Sequence, residues 1–320
     1  MAIRVAILDD YQRVALRMAN WRSLEPEVEV AAFPDHLDSV DAVAARLRPF
    51  DAVVLMRERT PFPASIFPKL PHLKLIVTSG HRNASIDLEA ATQHKVQVCG
   101  TPMLPYPTAE LTWGLILSAV RHIPAEIKAT REGRWQTTLG TGLLGKTLGI
   151  LGLGRLGAQV AKIGQVFGME TIAWSQNLTA ERAAEHGVTR VDKDELFARS
   201  DVITIHMQLS ERTENLIGDA ELRHMKPSAW LVNTSRGPIV DEKALLQVLR
   251  ERRIAGAALD VFDQEPLPAH HPFLALDNAL VTPHLGYVTE ENYAQAYVVA
   301  VDDIRAFLQG KVLNPLNKLG

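Results

Sequence analysis

Leu151-Gly152-Leu153-Gly154-Arg155-Leu156-Gly157 stands after the apolar run Leu148-Gly149-Ile150-Leu151. It precedes a segment in which Val160, Ala161, Ile163, Val166 and Phe167 keep helical spacing up to Gly168. A strand, a glycine turn and a helix in that order make the phosphate-binding turn of a dinucleotide-binding fold. Gly152 permits the tight turn, Gly154 lets the backbone approach a pyrophosphate, and Gly157 lets helix and strand pack closely. The helix amino terminus, at Arg155 and Leu156, offers N–H donors that no carbonyl within the helix can satisfy, so an anion is stabilised there. Without the flanking strand and helix, three glycines would be an ordinary turn.

The alternation of strand and helix extends on both sides of this turn. Downstream, residues 171–174, 202–206, 229–233, 255–260 and 279–282 read as strands, and upstream residues 4–8, 28–32, 52–55, 73–78 and 96–99 do the same. Such alternation predicts parallel sheets, hence an α/β fold of two doubly wound parallel-sheet domains. Leu104-Pro105-Tyr106-Pro107-Thr108 punctuates the chain, with Thr108 expected to cap an apolar helix reaching about Arg121. Tyr293, Tyr297, Val301, Ile304 and Leu308 predict a last helix, stopped at Gly310 and expected to pack on the first domain. The resulting arrangement is discontinuous. Residues 1–101 and 290–320 form a substrate-binding domain, and residues 102–289 form a cofactor domain inserted in it. Ligands are expected in the cleft, outside the carboxyl ends of the strands.

A chain of 320 residues is long enough for two cores, and 47% hydrophobic with 22% charged residues is the balance of a globular protein. The net charge of -3 sets up no field that draws in nucleic acid or an anionic membrane surface. Cys99 is the single cysteine, so no intrachain disulfide forms, and Val96-Gln97-Val98-Cys99 reads as a buried strand. No signal-peptide pattern opens the chain, and a reducing, cytoplasmic setting is expected. The most apolar stretch, residues 111–120, is about half the length that crosses a bilayer and reads as a buried helix. The eleven histidines show no metal-ligand spacing, and His270-His271 before Pro272 reads as a solvated loop.

Hydride transfer from a dinucleotide to a carbonyl needs a donor at the carbonyl oxygen and a proton source for the developing alkoxide, and an acid substrate also needs a cation or N–H donors for its carboxylate. Arg236, in Leu231-Val232-Asn233-Thr234-Ser235-Arg236-Gly237, lies just past a strand end, where its planar fork can engage carbonyl and carboxylate. His284, in Val281-Thr282-Pro283-His284-Leu285-Gly286, follows another strand end and can donate or take up the proton near neutral pH. Glu265, in Asp263-Gln264-Glu265-Pro266, can bond the far ring nitrogen and favour the imidazolium. His206, near a strand end, is a further candidate to line the cofactor cleft. An acid at the end of the second cofactor-domain strand ordinarily selects NAD over NADP. This chain has Ala173-Trp174-Ser175-Gln176-Asn177 there, which leaves both cofactors open, with Arg155 in reach of a 2'-phosphate.

Residues 152–157 and 233–237, Ala258-Leu259-Asp260-Val261-Phe262 with Glu265-Pro266, and residues 282–286 follow one another as successive motifs of one family. Over nearly its whole length the chain resembles the D-isomer-specific 2-hydroxyacid dehydrogenases. The resemblance implies a Rossmann cofactor domain inserted in a flavodoxin-like substrate domain, binding NAD or NADP and a small 2-hydroxy or 2-keto acid. It implies that Arg236 binds substrate, Glu265 supports His284 and His284 transfers the proton. Asp260 would bond the nicotinamide carboxamide, and Thr234 and Ser235 would line its side. In the first domain, a glycine loop of the family holds the substrate carboxylate through backbone N–H groups. The matching stretch, Thr78-Ser79-Gly80-His81-Arg82-Asn83, is bulkier and more polar than the family's Gly-Val-Gly, so substrate identity stays open. Arg57 is a candidate second cation for a dicarboxylate or phosphorylated acid. A homodimer is also implied, with the helix from Thr108 and the arm to about Leu144 in contact; Trp113, Trp135 and Leu139 fit that contact, and a core role explains Trp113 equally well. An alternative on the same fold is a cofactor-sensing binding protein of the corepressor type. A formate dehydrogenase is disfavoured because that branch pairs its histidine with glutamine, not with a glutamate such as Glu265.

Overall fold

The computed structural model describes residues 2–319. They form two compact units, residues 2–104 with 288–319, and Pro105–Tyr287.

The first unit is built on five parallel strands, β1 (Ile3–Ile7), β2 (Val28–Ala32), β3 (Ala52–Leu55), β4 (Leu75–Ser79) and β5 (Gln97–Thr101). They pair in the order β2-β1-β3-β4-β5. Strands covered on both faces need apolar side chains on both, and every residue of β3 and β4 is buried accordingly. The last helix, Glu290–Leu308, begins where Thr289 Oγ1 accepts from Asn292 N and packs on β4 and β5. Beyond it the chain returns beside β5: Leu316 N donates to Val98 O at 2.8 Å, and Val98 N donates to Asn317 Oδ1 at 2.8 Å. Cys99 is buried in β5, and desolvation pushes its thiol up to about 12.

Beside this return segment Asp303 is 2% exposed. Asn314 Nδ2 donates to its Oδ1 at 2.8 Å, while its other oxygen is buried with no partner. Burial, opposed by the Asn314 bond and reinforced by Asp302, raises its pKa to about 6. An unfolded aspartate titrates near 3.9, so the folded state holds this proton more tightly. The resulting contribution is complete below about pH 4 and is lost as pH rises through 6, an effect on the order of 3 kcal/mol. Asp303→Asn is expected to remove that decline, raising the melting temperature at pH 7.5 relative to wild type but not at pH 4. An unchanged pH profile of melting would sink this assignment.

The second unit carries seven parallel strands, β6 (Thr147–Leu151), β7 (Glu170–Trp174), β8 (Thr189–Arg190), β9 (Val202–Ile205), β10 (Trp230–Asn233), β11 (Gly256–Leu259) and β12 (Ala279–Val281). Their order is β12-β11-β10-β9-β6-β7-β8, reversing at β6. One face packs Phe197, Ile217 and Leu222, the other Trp113, Ile116 and Val160. Phe197 and Ile217 are 0% exposed, and each such side chain stabilises the fold by ~2 kcal/mol.

Two local expectations are corrected. Thr108 is not the cap of the helix Pro107–Val120: the N-cap is Tyr106, Pro107 opens the first turn, and Thr108 Oγ1 donates instead to Gly286 O at 2.8 Å. His271 is not in a solvated loop. Its Nε2 lies 3.1 Å from Glu242 Oε1, its Nδ1 accepts from Phe273 N, and its ring packs on Phe273. The helix Pro107–Val120 is largely buried, and among the described residues no helix is long and apolar enough to cross a membrane. Trp113 belongs to the core, its Nε1 donating to Val160 O at 3.2 Å. Trp135 and Leu139 on the following arm are exposed.

Candidate active site

Because β10, β11 and β12 are neighbours and parallel, the segments that follow them leave the sheet on one edge. Arg236 follows β10, Asp260 and Glu265 follow β11, and His284 follows β12.

The chain after β10 is stiffened by its own side chains. Asn233 Nδ2 donates to Arg236 O at 2.8 Å, and Ser235 N donates to Asn233 Oδ1 at 3.0 Å. Ser235 Oγ donates to Met207 O at 2.5 Å, and Thr234 Oγ1 is 2.9 Å from Thr112 Oγ1. Arg236 Nη1 donates to Ser235 O at 2.7 Å. Gly237 then passes so close to Phe262 that a Cβ would stand 2.1 Å from its carbonyl carbon.

Asp260 is fully buried. Its Oδ1 accepts from Thr282 Oγ1 at 2.6 Å and Leu285 N at 2.7 Å, and its Oδ2 from Gly286 N at 2.8 Å. Burial raises its pKa, while the bonds from Thr282 and Leu285 and the nearby His284 oppose the rise. Asp260 thus ties down both sides of the turn that carries His284. His284 itself adopts φ 53°, a left-handed conformation that surrounding bonds must hold. Its Nδ1 lies 2.5 Å from Glu265 Oε2, and the ring meets Tyr287 edge to face at 5.4 Å. Glu265 is aimed by Phe262 N, which donates to its Oε1 at 2.9 Å. Charge-assisted bonds of this length are the strong ones. With Nδ1 directed to a carboxylate, Nε2 is the nitrogen left to exchange a proton with a ligand.

The glycine turn follows β6. Gly152 has φ 98°, and a Cβ there would meet His206 O at 2.8 Å. At Gly157 a Cβ would stand 2.3 Å from Gly152 O, so only glycine allows this closeness of helix and turn. At Gly154, the N-cap of the helix Arg155–Val166, a Cβ would point into open space. Such a cradle, facing a helix amino terminus, fits a cofactor pyrophosphate. His206, whose Nε2 is 2.9 Å from Thr204 Oγ1, is lowered by desolvation to about 4 and is neutral at pH 7. Ser175 follows β7 in a turn closed by Leu178 N donating to Ser175 O at 3.0 Å.

In the first unit, Ser79 ends β4 and Gly80 follows it, and Arg57 N donates to Ser79 Oγ at 2.8 Å. Arg57 Nη1 donates to Ser79 O at 3.3 Å, and His81 follows on an exposed bend. Arg59 Nη2 donates to Tyr293 OH at 3.1 Å, a bond that spans 234 positions and that no local sequence pattern signals.

Residues 113–286 match the family model of the D-isomer specific 2-hydroxyacid dehydrogenase NAD-binding domain. A glyoxylate reductase of Aeropyrum pernix is 39% identical over 85% of this chain and 84% of that protein. A D-3-phosphoglycerate dehydrogenase of Methanocaldococcus jannaschii is 40% identical over 81% of this chain, which spans 50% of that longer protein. A phosphoglycerate oxidoreductase of Vibrio cholerae superposes with a TM-score of 0.92 at 38% identity, covering 96% of this chain and 99% of that one. The chain belongs to the D-isomer-specific 2-hydroxyacid dehydrogenase family. It is an oxidoreductase of 2-hydroxy acids with an NAD-binding Rossmann domain.

Proposed function

We propose that this chain reduces a small 2-keto acid to the D-2-hydroxy acid, with His284 as the proton carrier, Glu265 as its support and Arg236 as the substrate anchor. The observation that carries the reading is the 2.5 Å contact of His284 Nδ1 with Glu265 Oε2 on a strand-end turn clamped by Asp260. When bound, the nicotinamide supplies the hydride. Arg236 directs its planar donors at the carbonyl oxygen and carboxylate, polarising the first and orienting the second. His284 Nε2 gives its proton to the oxygen as negative charge develops there, and Glu265 stabilises the imidazolium before transfer. Oxidation reverses each step.

The same reading places the pyrophosphate on Gly152, Gly154, Arg155, Leu156 and Gly157, and the nicotinamide beside Thr234, Ser235 and Asp260. Three of the four lone-pair sites of Asp260 are engaged, which leaves one for the carboxamide. In the first unit, Ser79, Gly80 and His81 receive the substrate carboxylate and Arg57 adds a cation. Ser175 bears no charge to repel a 2'-phosphate, so both NADH and NADPH are expected to serve. Following nicotinamide absorbance over a panel of 2-keto acids with each cofactor tests both points. Turnover of at least one keto acid with both cofactors supports them, turnover with one cofactor alone overturns the second point, and tight cofactor binding without any turnover would favour the corepressor-type alternative.

The reading extends to a cytoplasmic homodimer. The arm after the helix Ile123–Arg131 is held by Glu126, which accepts from Thr137 Oγ1 at 2.9 Å and Thr138 Oγ1 at 2.7 Å, yet it leaves Trp135 77% and Leu139 93% exposed. A pinned arm with bare apolar side chains fits burial against a second copy. Light scattering at micromolar concentration should give twice the chain mass, and a monomer mass would overturn the assignment.

A further inference from the structure

A doubly wound sheet places ligands where its strand order reverses, which in the first unit is at the carboxyl ends of β1 and β3. Three non-glycine residues there, Asp9, Arg13 and Arg57, have φ of 56°, 56° and 54°. Each such conformation costs on the order of 1 kcal/mol and persists only when its surroundings impose it.

Arg57 is imposed upon from both sides. Its N donates to Ser79 Oγ and its O accepts from Asn83 Nδ2, each at 2.8 Å. Its guanidinium then lies over Gly80, where a Cβ would stand 2.0 Å from Nη1. The contacts of its two terminal nitrogens, 3.3 Å to Ser79 O and 3.4 Å to Glu58 Oε1, are long, so an entering acid group displaces little. Arg59, two residues on, is used differently. Nη1 donates to Asp9 O at 2.8 Å and Nη2 to Tyr293 OH at 3.1 Å, while the guanidinium stacks over the Tyr11 ring at 4.5 Å. Asp9, 1% exposed, is fixed by Thr60 Oγ1 at 2.6 Å and His36 Nδ1 at 2.9 Å. Arg59 therefore ties the loop after β3 to the loop after β1 and to the helix Glu290–Leu308. Met56 and Thr60, at the ends of the same loop, are buried, so the loop has no slack and the placement of Arg59 sets that of Arg57.

We propose that Arg59, with Tyr293 and Asp9, is a positioning device that fixes Arg57 against the 79–83 loop, and that the chain thereby selects 2-keto acids bearing a second acidic group. A monoanion needs only the loop donors, whereas a second carboxylate or a phosphate meets a preplaced guanidinium and orders little on binding. The inference rests on the substrate-binding reading of Arg57 and Ser79 to His81.

Steady-state kinetics with glyoxylate, oxaloacetate and 3-phosphohydroxypyruvate test it in wild type, Arg57→Ala, Arg59→Lys and Tyr293→Phe, alongside melting temperatures. Wild type should favour the two diacids in kcat/KM. Arg59→Lys should raise KM for both diacids about tenfold and Tyr293→Phe about fivefold, with kcat, glyoxylate kinetics and melting temperature held. Arg57→Ala should lower the diacid-to-glyoxylate ratio by more than either. A selective loss in Arg57→Ala with none in Arg59→Lys and Tyr293→Phe overturns the positioning role and leaves the substrate reading standing. A proportional loss for all three substrates in Arg59→Lys assigns a merely structural role and also overturns the inference. No selectivity change in Arg57→Ala overturns the substrate reading itself, and the inference with it.

Discussion

Replacing His284 with alanine is expected to lower kcat for 2-keto acid reduction by about a thousandfold or more while cofactor affinity stays within about twofold, because general acid catalysis by a positioned group contributes 10²–10⁴-fold. The imidazole is positioned unusually firmly. Thr282, Leu285 and Gly286 around it are all bonded to the Asp260 carboxylate, and Glu265 takes one ring nitrogen at 2.5 Å. No replacement side chain on this turn can supply a proton at neutral pH from the same point. The glycine turn that receives the pyrophosphate hangs on β6 and the helix Arg155–Val166, elements that do not carry His284, which is why affinity should hold. Stopped-flow absorbance for reduction and fluorescence titration for cofactor binding check the two halves separately. Retained turnover would remove His284 from the mechanism, and lost cofactor affinity would make it structural.

The strands of both sheets were legible because parallel strands buried on two faces are largely apolar, as in Ala52–Leu55 and in residues 75–77 of β4. The two-residue edge strand Thr189–Arg190 was not, since both residues are exposed and carry no apolar signal. Thr108 misled because a capping residue type stood in the right place, and only the tertiary structure shows its hydroxyl directed to Gly286 O, 178 residues away. The same limit applies to the site. Glu265 and His284 stood out through the order of their motifs, and the structure brings them into contact. That Asp260 clamps the 282–286 turn, or that Arg59 reaches Asp9 and Tyr293, is a matter of long-range register that spacing does not encode. Residues that do chemistry were readable from local strand-end context, whereas those that aim them became visible only when distant segments were assembled.

Arg236 provides the second large effect. Arg236→Ala is expected to reduce kcat/KM by 10²–10³-fold, the range found when a donor to a developing oxyanion is removed, and Arg236→Lys should recover less than a tenth of the loss. Lysine keeps the charge but is a point donor on a flexible stem, unable to span carbonyl and carboxylate together. The backbone should be indifferent to either change: Arg236 O is held by Asn233 Nδ2 at 2.8 Å, and the chain beyond is wedged at Gly237 against Phe262. Melting temperatures of both variants should therefore match wild type. If the side chain acts on the substrate, millimolar guanidinium should restore part of the activity of Arg236→Ala by refilling the vacated space, and should do nothing for His284→Ala. Absence of rescue with full stability would place the arginine outside the reacting centre. Rescue confined to KM, with kcat unmoved, would keep its hold on the carboxylate but remove its action on the carbonyl.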